Sequence, residues 1–367
     1  MDTNLLLNYL KTDSPSTYEV EAQKLWVAEA SKYADNIITD NYGNVAALIC
    51  GKCTGDDIGN PIHKKVVIDA HCDEIGWIVK SINDDGYISV VRNGGTDNDI
   101  TIGQKIKILT NQRYDDGGIK KVQGFFGWIP IHLKKKENPD RPTEDNIFID
   151  LGVICKKDVE ELGVEVGNFV VVDREPEILH DKYIVGKSID DKIGGFILLS
   201  ILKEIRTQNI KLPYDLYVVN SVQEEIGLRG AAMITETIKP DIAICFDVSF
   251  DTTTPLIDKS KYGTYKIGDG LIFNQGSDVH HGLLELMKSV AKKNEIKHQI
   301  EIHRAGGTNT YSYYLSNGGV VAGTVAFPLR YMHTPNELVA MDDVELAIKY
   351  YIILLQEIKE NHDFKLF

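Results

Sequence analysis

The chain has 367 residues, more than one hydrophobic core usually supports, so we expect a large domain with a second or inserted one. Its 40 basic and 54 acidic residues give a net charge of -14, which argues against binding to nucleic acid or to an anionic membrane. Five cysteines, an odd number in a long chain, fit a reducing compartment better than a disulfide framework and predict a cytoplasmic protein.

The first part of the chain has helix and strand signals but no export or membrane signal. Residues 1–30 lack a basic start followed by a long apolar run, so we expect neither export nor insertion. Helix-start residues at 14–17 precede a helical apolar spacing that predicts a helix at about 18–34. Residues 44–49 and 65–70 read as strands, and the lone Cys50-x-x-Cys53 pair is a weak signal for a metal or redox site.

Residues 76–182 have a different sequence pattern from the segments on either side. Short β-like runs at 77–80, 87–91, 105–109 and 169–172 alternate with Asp-Gly, Gly-Gly and Asn-Gly turn signals. Helical spacing is nearly absent, apart from a possible turn near 158–162, and the charged stretch 134–145 reads as an exposed loop. We therefore predict an inserted barrel or small sandwich, flanked by one domain built from residues 1–75 and 183–367.

After residue 182 the pattern is that of an α/β protein. Helices are predicted at 191–205 and 283–292, and strands at 216–219, 242–246 and 320–326. A last helix is expected from Asp342, with Glu345 placed as in a capping box.

Potential metal ligands follow the ends of several predicted strands. Ligands of open α/β sheets bind beyond the carboxyl ends of the strands, so residues far apart in sequence can meet there. The candidates are His71, Asp190, Glu224, Glu225, Asp247 and His333. Each has a plainer alternative: a hydrogen-bonded structural histidine, a helix N-cap for Asp190, a loop anchor for Asp247 or a solvated acidic loop. Taken together, two histidines and several carboxylates match the ligands of a hydrolytic zinc centre.

Glu224 and Glu225 follow a predicted buried strand and precede Gly227 and Gly230. Successive side chains of an extended backbone point to opposite sides, so the two carboxylates are expected to have different roles. In a hydrolase these would be a metal ligand and a general base.

The candidate residues lie in five blocks of sequence, which are AHCDEIG (70–76), GKSIDDK (186–192), QEEIG (223–227), FDV (246–248) and RYMHTP (330–335). These blocks resemble the metal site of the tetrahedral or glutamyl aminopeptidases, a family of dinuclear metallopeptidases of which some members carry an endoglucanase label. Residues 149–152 and 306–308 also resemble sequence of this family.

The resemblance implies a mixed-sheet α/β/α catalytic domain, an inserted β-barrel-like dimerisation domain and a homo-oligomer built from dimers, with tetrahedral shells of twelve subunits in the family. It implies one metal held by His71 and Asp247, a second held by Glu225 and His333, and Asp190 bridging both. Glu224 would be the general base, and Asp73 would fix the orientation of His71. A cis peptide bond is expected between Asp190 and Asp191.

The expected activity is removal of N-terminal residues from short peptides, with two divalent ions, zinc or alternatively cobalt or manganese. Rivals are a deacylase of N-acyl amino acids, a glycosidase with two carboxylates, which leaves both histidines unexplained, and a catalytically idle scaffold. Asn309 stands where the family usually has aspartate, and the stretch after Asp247 is atypical. These two departures from the family pattern leave the details of the substrate pocket open, but not the metal binding.

Overall fold

The computed structural model describes residues 1–51, 64–134, 141–302, 307–359 and 362–365. Cys53 of the C-x-x-C pair, Gly306 and residues 135–140 of the predicted exposed loop lie outside these ranges. Cys50 is exposed and forms no disulfide with any described cysteine.

The chain alternates strands and helices at both ends and has mostly strands in its middle. The strands are β1 (Asn36–Thr39), β2 (Val45–Ile49), β3 (Lys65–His71), β4 (Gly76–Ile82), β5 (Ile88–Asn93), β6 (Lys105–Arg113), β7 (Ile119–Gly127), β8 (Phe148–Asp150), β9 (Phe169–Val172), β10 (Glu177–Leu179), β11 (Tyr183–Gly186), β12 (Asp215–Ser221), β13 (Ile242–Phe250), β14 (Leu271–Gln275), β15 (His298–Ile302), β16 (Val321–Leu329) and β17 (Glu337–Ala340). The helices are α1 (Thr3–Lys11), α2 (Val20–Ala30), α3 (Asn98–Thr101), α4 (Lys156–Glu161), α5 (Ile189–Thr207), α6 (Arg229–Ile238), α7 (Lys259–Tyr262), α8 (His281–Lys293), α9 (Thr310–Tyr314) and α10 (Met341–Glu357).

Eight strands form a mixed sheet in the order β1-β2-β12-β3-β13-β16-β14-β15. The four central strands, β12, β3, β13 and β16, are parallel, whereas β2 and β14 pair with them antiparallel. Parallel strands buried on both faces need apolar side chains on both, and β3 is buried from Val66 to its end. The carboxyl ends of the four central strands therefore lie at one edge of the sheet.

Helices cover both faces of this sheet. Residues that alternate along β3 enter two different cores, because successive side chains of a strand face opposite sides. Val66 and Ile68 pack in one core with Phe196 of α5, whereas Val67 packs in the other with Ile234 of α6. The expected mixed-sheet α/β/α fold is confirmed.

The middle of the chain forms a closed barrel with the strand order β4-β5-β8-β7-β6-β9. Its core is separate from those of the large sheet and includes Trp77 and Phe126, whose rings lie 4.8 Å apart. The expected inserted barrel is thus confirmed as part of the fold class, whereas the division into domains at residues 75 and 183 stays a prediction. Strands β10, β11 and β17 form a small third sheet that joins the chain after the barrel to its C-terminal part.

Two local expectations differ from the structure, and one helix of the structure was not expected. The helix expected at 18–34 is shorter, and the sequence pattern does not predict α1, whose N-cap Asp2 accepts a hydrogen bond from Leu5. The capping box at Asp342 is wrong, because β17 runs directly into α10 and Ala340 is the N-cap.

None of the helices in the described ranges is long and apolar enough to span a membrane.

Candidate metal centre

The predicted ligands lie at the carboxyl edge of the large sheet. His71 is the last residue of β3, and His333 follows β16 by four residues. Asp247 lies inside β13 rather than after it, because that strand continues beyond the predicted end to Phe250. Asp190 lies at the start of α5, at a break where its own backbone and that of Asp191 are not helical.

The alternative interpretation of Asp190 as a helix N-cap does not apply, since Ser188 is the residue at the N-cap position of α5. The peptide bond between Asp190 and Asp191 is cis, as the resemblance implied.

Asp190 lies between the two histidines. Its Oδ1 is 3.2 Å from His71 Nε2, and its Oδ2 is 3.4 Å from His333 Nε2. The carboxylate therefore presents one oxygen to each imidazole, which is the arrangement that a ligand shared by two cations requires.

The adjacent glutamates face different histidines. Glu225 Oε1 lies 3.3 Å from His333 Nε2, and Glu224 Oε2 lies 3.9 Å from His71 Nε2. The extended backbone expected for this pair is wrong, because β12 ends at Ser221 and Gln223 has a positive φ of 56°. A turn, and not strand alternation, separates the two carboxylates.

Two overlapping sets of ligand atoms each lie within 4.8 Å of one another. One consists of His71, Asp190 and Glu225, and the other of His71, Asp191 and Asp247. Asp191 is fully buried, and its Oδ2 has no hydrogen-bond partner. The sequence analysis did not single out Asp191, although its position beside Asp190 was a usable signal.

Hydrogen-bond acceptors lie beside the far nitrogen, Nδ1, of both histidines. His71 Nδ1 lies 3.2 Å from the Asp73 carbonyl oxygen and 3.3 Å from Asp73 Oδ1, and His333 Nδ1 lies 3.0 Å from the carbonyl oxygen of Gly95. Because these oxygens only accept, Nδ1 of each ring donates and Nε2 faces the carboxylates.

Asp73 also connects His71 to the glutamate pair. Its two oxygens accept hydrogen bonds from the backbone amides of Glu224 and Glu225, at 2.9 and 3.1 Å, and Oδ2 accepts one from the Ser16 hydroxyl at 2.6 Å. One fully buried carboxylate thus contacts His71 and the backbone amides of Glu224 and Glu225. A neutral side chain with a single accepting oxygen would lose part of these contacts.

The centre concentrates buried negative charge. Burial raises the pKa of Asp247 to about 8, with repulsion from Asp190 adding to it, and burial also raises the pKa values of Glu224 and Glu225. Burial alone would lower the pKa of His333, but the Asp190 and Glu225 carboxylates outweigh it and raise that pKa to about 12.

Among the described residues, the cationic partners within 4 Å of Asp190, Glu224 and Glu225 are the two histidines alone. Carboxylates crowded in this way are stabilised by divalent cations, and mixed nitrogen and oxygen ligands suit zinc. The residues present therefore fit a metal centre.

A cavity of about 270 Å³ opens beside the centre. It is bordered by Glu224, Asp247, Phe250, Thr308 and Met332. The cavity places space for a side chain directly next to the candidate ligands.

Asn309 does not border that cavity. It is buried, and its side-chain amide donates to Asp69 at 2.8 Å and to the Ser221 hydroxyl at 2.9 Å. Asn309 therefore lies beneath the centre and bonds to the sheet, away from the residues that border the cavity.

Glu337 is a further residue of the centre that the sequence analysis missed. Its carboxylate accepts hydrogen bonds from the backbone amides of Ile189, Asp190 and His333. Its position four residues after His333, at the start of β17, was the only signal in the sequence.

Comparisons with known proteins agree with this geometry. The family model of the M42 glutamyl aminopeptidases matches residues 51–350. A lysyl aminopeptidase of Pyrococcus furiosus is 30% identical over 98% of both chains.

Two solved structures are also similar to this chain. A TET aminopeptidase from a marine sediment archaeon, Thaumarchaeota archaeon SCGC AB-539-E09, has a TM-score of 0.88 at 27% identity and covers 97% of this chain and 96% of its own. An aminopeptidase of Desulfurococcus kamchatkensis has a TM-score of 0.87 at 29% identity, with 97% and 95% covered. The chain belongs to the M42 glutamyl aminopeptidase family, and so to a family of metal-dependent peptidases.

Proposed function

Starting from that membership, we propose that the chain is a dinuclear metallo-aminopeptidase that removes N-terminal residues from short peptides. The observation that carries the proposal is the position of Asp190, which directs one oxygen at His71 and the other at His333. In this proposal His71 and Asp247 would hold one divalent ion, Glu225 and His333 would hold a second, and Asp190 would be a ligand of both. Zinc suits this donor set, and cobalt or manganese could replace it.

When bound, such ions would polarise the scissile carbonyl and lower the pKa of a water molecule. Glu224 would take a proton from the attacking water and return it to the leaving amine. Burial raises the pKa of Glu224 above its usual range, which makes the carboxylate a stronger base than an exposed glutamate. Asp73 would keep Nδ1 of His71 protonated, so that Nε2 stays available as a ligand.

The cavity of about 270 Å³ beside Glu224 and Asp247 would receive the side chain of the N-terminal residue. A free amino group at the substrate's N-terminus would lie near the carboxylates, and this favours an exopeptidase over an endopeptidase. The net charge of -14 argues against a nucleic-acid substrate, and the absence of disulfides among the described cysteines supports a cytoplasmic location.

The barrel supports a homo-oligomer. Ile131 and Leu133, in the turn that follows β7, are 77% and 75% exposed. Apolar side chains this exposed and this close together are typical of a surface that a partner covers. We propose that a second copy of the chain covers it.

A panel of aminoacyl amides and N-acyl amino acids tests the activity. The chain is first freed of metal by a chelator and then loaded with zinc, cobalt or manganese. The expected result is release of N-terminal residues that is lost on chelation, returns with metal and needs a free amino group. Hydrolysis of the N-acyl amino acids alone would favour the deacylase, and chelator-resistant release of reducing sugar from a glucan would favour the glycosidase.

A further inference from the structure

We propose that Glu337 is a positioning residue that sets the distance between Asp190 and His333, and through it the affinity of one metal position. The inference rests on the proposed function. It concerns a residue that touches neither substrate nor metal in that proposal, and acts only through the backbone of two ligands.

Glu337 is buried, and both of its oxygens are used. Oε2 accepts from the amides of Ile189 at 2.7 Å and Asp190 at 3.1 Å, while Oε1 accepts from the amide of His333 at 2.8 Å. One carboxylate therefore ties together two chain segments that are far apart in sequence.

Neither segment has a regular backbone throughout, since α5 is interrupted at Asp190 and His333 lies between two strands. Ser188, Tyr331 and His333 all have a positive φ, between 52° and 60°, which is unfavourable for residues with a side chain. Such backbones persist only where their surroundings fix them. Because buried amides need acceptors, the three bonds to Glu337 are a direct physical reason why these segments keep this geometry.

Glu337 itself is fixed by the sheet. It is the first residue of β17 and pairs with Gly186 of β11, and the next residue, Leu338, forms a bridge with Arg330. The small sheet thus fixes the backbone at Glu337, while the carboxylate transfers that fixed position to Asp190 and His333.

The Glu337→Gln substitution separates the two contacts. A carboxylate only accepts, whereas the amide of glutamine has one accepting oxygen and one donating nitrogen. The better orientation keeps the oxygen on Ile189 and Asp190, where it meets two amides. The nitrogen then faces the His333 amide, so that two donors oppose each other. The hydrogen bond to the backbone of His333 is lost, whereas the hydrogen bonds to Ile189 and Asp190 remain.

A purely structural role for Glu337 would have a different signature, and Asp343 provides the matched control. Asp343 is an equally buried carboxylate that accepts from the backbone amide of Gly268 at 2.7 Å, and it is not part of the candidate centre. Asp343→Asn is therefore expected to lower thermal stability and to leave metal affinity unchanged.

The test is titration of the metal-free parent, Glu337→Gln and Asp343→Asn with Co²⁺, followed by visible absorption and by elemental analysis. The parent and Asp343→Asn should bind about two ions with the same affinities. Glu337→Gln should bind one ion normally and the other about 10–100-fold more weakly, the usual effect of removing a residue that orients ligands. Excess metal should restore its kcat, with KM unchanged throughout.

Parent-like affinity for both ions in Glu337→Gln would overturn the inference. Equal weakening of metal binding in Asp343→Asn would also overturn it, because the effect would then come from a general loss of stability. If the glutamine variant does not fold, Glu337→Asp, which keeps the charge but shortens the side chain, should weaken the same ion, and unchanged affinity would again overturn it. A parent that binds no second ion would instead contradict the proposed function, and the inference with it.

Discussion

The side-chain amide of Asn309 lies 2.8 Å from the carboxylate of Asp69, and both side chains are buried beneath the candidate metal centre. Asn309 Nδ2 also donates to Ser221, the last residue of β12. Asp69 is on β3, two residues before His71. The amide thus links the two strands that lead to His71 and to the glutamate pair.

Asn309→Asp should destabilise the fold. It replaces a donor with a second carboxylate and leaves buried acceptors facing one another, at a cost of at least about 1–3 kcal/mol. Urea unfolding at pH 8 measures the loss. The exposed Asn317→Asp is the control and should change the free energy of unfolding by less than about 0.5 kcal/mol. Equal stability of the two variants would contradict the assigned role.

Glu19 should make stability depend on pH. Burial, and secondly repulsion from Asp73, raise the pKa of Glu19 from 4.5 to about 8. The backbone amides of Thr17 and Gln223 donate to its Oε1 and lower the pKa, but by less. The folded protein therefore holds a proton that the unfolded chain releases between these values. This contribution to stability is complete below pH 4.5 and is lost as the pH rises through about 8.

Glu19→Gln is neutral at every pH and keeps an accepting oxygen. Between pH 5 and 8 its free energy of unfolding should therefore change by roughly 3 kcal/mol less than that of the parent. Urea unfolding of parent and variant at several pH values, with the same saturating zinc, measures the difference. Parallel curves would show that Glu19 does not hold the extra proton.

The exposed apolar turn of the barrel should control assembly. A double change, Ile131→Asp with Leu133→Asp, adds charge to the proposed contact and should convert the oligomer to smaller species in light scattering. Tyr42→Asp, at an exposed residue of the large domain, is the control and should keep the parent's size. A parent that is already a monomer at micromolar concentration would rule out the proposal.

Much of the fold could be predicted because its signals are local. Short apolar runs that end in polar residues identify β3, β12 and β13, and turn signals at regular intervals identify the barrel. Details that depend on tertiary contacts could not. The capping box failed because Ala340 ends a strand that pairs with β11, and no local pattern in the last helix reveals that pairing.

Some residues of the candidate centre could be predicted from the sequence, and others could not. His71, Glu225 and His333 could be singled out from residue type and position at strand ends, and a family resemblance added their roles. Glu337 could not, because a carboxylate that accepts backbone amides looks like any exposed acid in sequence. The contacts of Asn309 could not be predicted for the same reason, since only the packing beneath the sheet shows that it bonds Asp69.

Glu224 and Glu225 should respond differently to the same substitution. Glu224→Gln keeps the shape but removes the base, so kcat should fall about 10²–10⁴-fold while metal content stays near that of the parent. Glu225→Gln should instead weaken metal binding at the position shared with His333. Steady-state kinetics combined with elemental analysis separates the two, and exchanged phenotypes would mean that the roles are assigned in the wrong order.

The metal content of Asp190→Ala tests the dinuclear centre most directly. After gentle desalting, the parent should contain about two divalent ions per chain by elemental analysis, following the two-ion arrangement. Because Asp190 presents an oxygen to each histidine, its removal should disturb both positions and markedly lower the content. A variant that retains the parent's full metal content would contradict the assignment of Asp190 as the bridge.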